Sequence, residues 1–191
     1  MRHIDPWVGL LYLLSVGGAW AATVERKAVV SQSSSVKLAS PDGAWMILTE
    51  PAADSGNAHI VLQATSGKTR QILGEYFRSG TVWWSPSGHL LLFIDDHSPE
   101  ESRLIVYRVA SNGGVRVDGV DRALRAAALT RKPPGRQLLY YSLALKDFED
   151  DDRLIITVRI VYLKNAGLTG PAAEMNVDYV YDLRSRRVAA R

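Results

Sequence analysis

The 191-residue chain contains no cysteine. Disulfides, thiolate metal centres, a cysteine nucleophile and lipid attachment to cysteine are therefore excluded. Histidine is scarce, with four in all, which leaves little material for an imidazole-rich metal site or acid–base cluster. Asn-x-Ser/Thr acceptor sites are missing. So are a Gly-x-Ser-x-Gly nucleophile turn, a His-Glu-x-x-His pair and a glycine loop opening onto a helix to cradle phosphate. On these grounds no catalytic, cofactor-binding or metal-ligating residue is assigned, and the chain is not expected to be an enzyme. Charge of one sign is not in large excess either: 23 Lys and Arg against 20 Asp and Glu leave a net +3. Proteins that grip nucleic acid show a clustered basic face, so no nucleic-acid partner is expected.

What the chain does have is 47% hydrophobic and 23% charged residues, the composition of a globular domain. Its one long apolar run lies at the start. Arg2 and His3 precede Trp7–Val16, then Gly17-Gly18, then Ala19-Trp20-Ala21. A positive end, an apolar stretch and a small-x-small site are the marks of an export signal. Residues 1–21 are read as that signal, with cleavage after Ala21. An uncleaved anchor is the alternative, because Trp7 to Val24 is barely long enough to cross a bilayer. Removing residues 1–21 takes Arg2 and Asp5 together and leaves the charge at +3. Leu154–Leu163 is the next most apolar stretch, and Arg159 interrupts it, so no stable membrane insertion is expected once the signal is gone. Export without cysteine points to a bacterial periplasm or to secretion. Residues 22–35, ending in Ser31-Gln32-Ser33-Ser34-Ser35, read as a polar leader or an irregular first strand.

The body, residues 36–191, is self-similar. Ser40-Pro41-Asp42-Gly43 and Ser85-Pro86-Ser87-Gly88 stand 45 residues apart, each followed by an apolar strand. Ser66-Gly67 and Ser111-Asn112-Gly113 repeat at nearly the same interval. A worn third copy is read from Lys132-Pro133-Pro134-Gly135, so the units are about 36–75, 80–120 and 129–191. The turn has a physical logic. Proline presets φ near −65°, aspartate or serine suits the next position, and glycine takes the left-handed conformation that L-residues avoid. Ser40 and Ser85 can hydrogen-bond back into their turns. Gly43 and Gly88 are expected at positive φ, and Gly135, in the degenerate copy, is expected to be less sensitive to substitution. Leu90–Ile94 is continuously apolar and predicts a strand buried on both faces. Asp121–Leu129 is compatible with a short helix, by its alanines, or with the first strand of the third unit, by repeat register.

The pattern of SPDG, apolar strand, loop and an Ile-Val-Tyr-type strand ending at glycine resembles the WD40-like repeats of bacterial β-propellers. Repeats of that kind occur in the periplasmic propeller of the Tol-Pal system and in the propeller domains of prolyl oligopeptidases. Tyr179–Ser185 resembles another strand ending of this type. The resemblance implies an all-β fold of antiparallel, blade-like sheets. Closed propellers have four or more blades, so an incomplete or open propeller-like array is expected, with a β-sandwich as the alternative.

Several clusters are candidate sites. Asp95-Asp96-His97 holds acid and base types, but neighbours on a strand face opposite ways, and the trio is read as a solvated loop. His59 and His89 sit near predicted strand starts and share no motif. Asp147, Glu149, Asp150, Asp151 and Asp152 lack the alternating ligands and turn glycine of an EF-hand and are read as a solvated hairpin tip. Trp83-Trp84 is a candidate ligand or carbohydrate platform, with at least one ring expected in the core. Arg184, Arg186, Arg187 and Arg191 make the C-terminus basic, suited to an acidic partner or membrane surface. The expectation is an exported, non-enzymatic binding or scaffolding protein of the cell envelope, acting through loops and strand edges on a protein partner. An envelope hydrolase, or an accessory domain of one, is the alternative. Leu138–Arg191 is expected to cap the second unit and keep the chain a monomer rather than a homo-oligomer.

Overall fold

The computed structural model describes residues 25–52, 56–98, 101–163 and 172–191. Residues 1–21, read from the sequence as an export signal, lie outside the described residues. The body is all-β, with thirteen strands and one short helix among the described residues.

The first unit is a four-stranded up-and-down sheet. It comprises β2 (Lys37–Ala39), β3 (Trp45–Pro51), β4 (Ala58–Ala64) and β5 (Arg70–Tyr76). The second unit repeats that plan with β6 (Ser79–Trp84), β7 (Leu90–Ser98), β8 (Glu101–Ala110) and β9 (Gly113–Val117). Both first hairpins close through the same hydrogen bonds. The Ser40 N–H donates to Trp45 O at 2.8 Å and the Gly43 N–H to Ser40 O at 2.9 Å. The Ser85 N–H donates to Leu90 O at 2.9 Å and the Gly88 N–H to Ser85 O at 3.0 Å. Each serine hydroxyl oxygen also accepts the N–H five residues on, from Trp45 at 2.9 Å and from Leu90 at 3.0 Å. The hydroxyls replace water for backbone groups that the fold buries, which is why the serines themselves are buried. Gly43 and Gly88 hold φ of 70° and 81°, as the turn chemistry predicts.

Of the residues read as leader or irregular strand, Lys27–Ser31 form β1, which pairs antiparallel with β6. Alternation in β7 shows why the second unit is central. Leu91 and Phe93 face the first unit, packing with Trp45, Ile47, Ile60, Leu62 and Trp84. Leu90, Leu92 and Ile94 face the other way into a second core. All five are nearly inaccessible, so the continuous apolar run is a strand covered on both faces.

The third unit departs from the repeat. Its opening segment is α1 (Val120–Leu129). Val120, Leu124 and Ala128 are its buried residues. Spacing of four puts them on one helical stripe, whereas a strand would have buried every second residue. The strands that follow are β10 (Leu138–Asp150), β11 (Arg153–Leu163), β12 (Ala172–Asp182) and β13 (Arg187–Ala190). They are not a separate copy. β10 joins the sheet of the second unit through one parallel bridge, Tyr141 to Glu101. Five residues further along, β8 has changed partner and pairs Val106–Ala110 with β9. The sheet forks there, and β10–β12 with α1 cover the second core. Gly135 has φ of 71°, so its turn is as left-handed as the other two. The copy is degenerate, but its glycine conformation is kept.

Candidate functional site

Trp83 and Trp84 point to opposite faces of β6. Trp84 is fully buried in the core between the first two units, and its Nε1–H donates to Leu38 O at 3.3 Å. Trp83 is half-buried on the other face. It lines a cleft of about 270 Å³ with Glu25, Arg26, Lys27 and, across from them, Leu145–Phe148 of β10. Two local features create the cleft. β1 lies beside β6 in register, pairing Lys27 with Trp83. β10 carries a register shift between Leu145 and Asp147 in its pairing with β11, and such irregularities re-aim side chains.

The cleft joins apolar and cationic groups. Leu145 is buried in the second core and Phe148 packs partly against it. The Lys27 ammonium sits 4.5 Å from the centroid of the Trp83 ring, a cation–π geometry. Trp83 Nε1 and Arg26 Nη1 are buried and meet no hydrogen-bond acceptor among the described residues. Lys146 is held by Asp178 at 2.5 Å. Such a surface suits a ligand with an apolar or planar body and hydrogen-bond acceptors.

The other sequence candidates fall elsewhere. Asp95 and Asp96 lie within β7 rather than in a loop, because the strand runs to Ser98. Asp95 is buried; Asp96 is exposed and accepts hydroxyl hydrogen bonds from Ser79 at 3.4 Å and Ser102 at 3.3 Å. The side chain of His97 lies outside the described residues. His59 is on β4 and His89 immediately precedes β7, so these two stand at strands of different sheets. Among the described residues no three His, Asp or Glu side chains group to hold a metal.

The acidic run is the tip of the β10–β11 hairpin, as expected, with Asp147, Glu149 and Asp150 exposed. β10 extends to Asp150, leaving Asp151–Asp152 as the turn. Asp152 bridges two guanidinium groups, Arg108 at 2.7 Å and Arg184 at 2.5 Å. Hydrogen bonding from Arg108, then Arg184, holds its carboxyl below the ordinary range. Glu149 lies 3.6 Å from Arg153 and 3.7 Å from Arg191. Two of the C-terminal arginines are therefore engaged with the acidic hairpin. Gly113-Gly114 is the start of an edge strand.

Sequence reasoning missed Arg26 and Lys27, because only pairing of β1 with β6 brings them to Trp83. It also missed the polar group at the sheet fork. There the Asp121 carboxylate accepts the Leu104 N–H at 3.0 Å, and Arg125 pairs with Glu101 at 2.6 Å. Burial pushes the Asp121 carboxyl up, and pushes the Tyr141 hydroxyl well above its usual range.

Fold and cleft together define an all-β protein of blade-like antiparallel units, open at its edges, with a surface cleft where the second and third units meet. No helix among the described residues is long and apolar enough to cross a membrane. No family model matches the chain, and no curated protein matches it. Among solved structures it is similar to a putative TolB from Agrobacterium tumefaciens, with 12% identity and a TM-score of 0.25. The match covers 81% of this chain and 63% of that one, so the chain spans less than two thirds of that protein's length. The fold assignment rests on the strand pairing itself.

Proposed function

We propose that the chain is an exported, non-enzymatic binding or scaffolding protein of the cell envelope, periplasmic or secreted. It acts through the loops and strand edges of its propeller-like β domain on a protein partner. The observation that carries this reading is the Trp83 cleft. There a half-buried indole faces Phe148 and Leu145, and lysine and arginine groups lie beside it. Tryptophan and arginine are among the residue types that anchor protein interfaces. The reading of residues 1–21 as an export signal supports placement outside the cytoplasm, and the repeat supports a blade-like scaffold.

Photo-crosslinking from position 148 in the native envelope tests the reading. One envelope protein should be captured reproducibly, and Trp83→Ala should abolish the adduct while the fold, read by circular dichroism, is kept. An adduct indifferent to Trp83 sinks the assignment to this cleft. Turnover of a peptide, ester or glycan substrate by the purified protein, lost on Asp96→Ala or His97→Ala, would replace the binding role with hydrolysis.

A further inference from the structure

A second surface, distinct from the Trp83 cleft, lies where β9 meets the turn between β12 and β13. It is a groove of about 340 Å³ lined by Arg108, Arg116 and Arg186, by one carboxylate, Asp118, and by the apolar Val115, Val117 and Leu183. Val115 is 65% exposed, while Leu183 is buried. The register explains the arrangement: Arg108 on β8 and Val115 on β9 are cross-strand partners, so the guanidinium stem and the exposed valine stand side by side.

Arg186 is the informative residue. Its φ is 56°, making it the only residue other than glycine at positive φ among the described residues. The turn is built to hold it there. The Asp182 carboxylate accepts the N–H groups of Arg184 at 2.9 Å and Ser185 at 2.8 Å. A left-handed position of this kind normally belongs to glycine or asparagine, and a long charged residue in it is strained. Strain of that sort is kept where the side chain has a task. Among the described residues Arg186 makes no ion pair, and Arg116 has only a solvent-exposed contact with Asp118 at 3.4 Å. Exposed pairs of that kind are weak and easily exchanged. Arg108 is shared with Asp152, which fixes its direction and leaves donors of its planar fork for another acceptor.

We propose that this groove docks an acidic, extended segment of a partner protein. Its carboxylates pair with Arg116 and Arg186, and an apolar side chain between them packs on Val115. Guanidinium forks match carboxylates in pairs. The three arginines of the groove outnumber its one carboxylate, Asp118, so an acidic occupant balances its charge.

Fluorescence anisotropy on the full-length protein with a labelled peptide of alternating Glu and Leu tests this, with vesicles containing anionic phosphatidylglycerol in parallel. The peptide should bind at low ionic strength and weaken with salt. Arg116→Glu and Arg186→Glu should each reduce affinity roughly tenfold, while Lys37→Glu, the same charge change on the first unit, should not. Arg186→Gly separates binding from folding: it should weaken the peptide and yet raise Tm, by roughly 1–3 °C, because the left-handed strain is gone. Absence of peptide binding, binding indifferent to both charge reversals, or binding to the vesicles alone would each overturn the proposal. The crosslink from position 148 reads the other surface, so the two results separate.

Discussion

Gln71 on β5 and Gly114 on β9 exchange two hydrogen bonds: the Gly114 N–H donates to Gln71 Oε1 at 2.9 Å, and Gln71 Nε2 donates to Gly114 O at 2.9 Å. One side chain thus satisfies both outward backbone groups of an edge-strand residue and stitches the first unit to the second. The Tyr107 hydroxyl adds a third tie, donating to Leu73 O at 2.6 Å. Gln71→Leu keeps the size and removes both partners. Each net hydrogen bond is worth about 0.5–1.5 kcal/mol, so a loss of about 1–3 kcal/mol is expected in urea unfolding at unchanged m-value. A loss below the error of the measurement would show that the seam is held by its apolar core alone.

The turn glycines differ in a way that can be measured. A Cβ on Gly43 or Gly135 meets nothing within 4 Å, but on Gly88 it lies 3.1 Å from the Asp42 carboxylate. Valine at Gly43 or Gly135 should therefore cost only the left-handed penalty, ~1–2 kcal/mol. At Gly88 it should cost more. Equal losses at all three would mean that Asp42 yields freely.

Gly80 is constrained by space rather than by φ. A Cβ there would overlap the Phe93 ring and lie 2.5 Å from the Ile94 carbonyl oxygen. Because the backbone of β7 cannot retreat without breaking its ladder, Gly80→Ala should destabilise by about 3 kcal/mol or more, in the range of severe overpacking. A well-folded alanine variant with wild-type Tm would contradict the close approach of β6 and β7.

Asp121 and Asp152 should respond to pH in opposite senses. Burial raises the Asp121 pKa above its unfolded value. The folded state then holds that proton more tightly, and stability falls as pH rises from the unfolded to the folded value. Asp121→Asn, which can still accept the Leu104 N–H, should match or exceed wild-type Tm at neutral pH, with the difference closing in acid. Asp121→Ala, which orphans that N–H, should lower Tm. The pKa of Asp152 is lowered by its arginines, so its contribution is present above the unfolded carboxylate value and lost as pH falls through the folded one. Asp152→Asn should flatten the acid limb of the Tm profile. A pH-independent Tm difference in either variant would refute the corresponding assignment.

Export is testable directly. Protein recovered from the envelope should begin at Ala22, or within a residue or two of it, on N-terminal sequencing. Met1 retained in a membrane pellet would favour an anchor.

Local chemistry made much of the fold readable. The Ser-Pro-Asp-Gly and Ser-Pro-Ser-Gly turns specify their own hairpins, because proline, the serine hydroxyl and a left-handed glycine act within five residues of one another. Leu90–Ile94 announced a strand covered on both faces for a similar reason: every side chain in it is apolar. The split between Trp83 and Trp84 follows from the strand period of two. Tertiary structure decided the rest. Whether Asp121–Leu129 became a strand or a helix turned on which surface was left to cover, and the fork of β8 left one that the stripe of Val120, Leu124 and Ala128 fits. The ion pairs of the acidic hairpin tip are not legible in the sequence because the partners are distant: Arg108 is 44 residues from Asp152. Both clefts depend on contacts between elements far apart along the chain, β1 and β6 with β10 in one case, and β9 with the β12–β13 turn in the other. Residue order dictates periodicity and turns through neighbours a few positions apart; long-range packing alone settles which distant charges and rings meet.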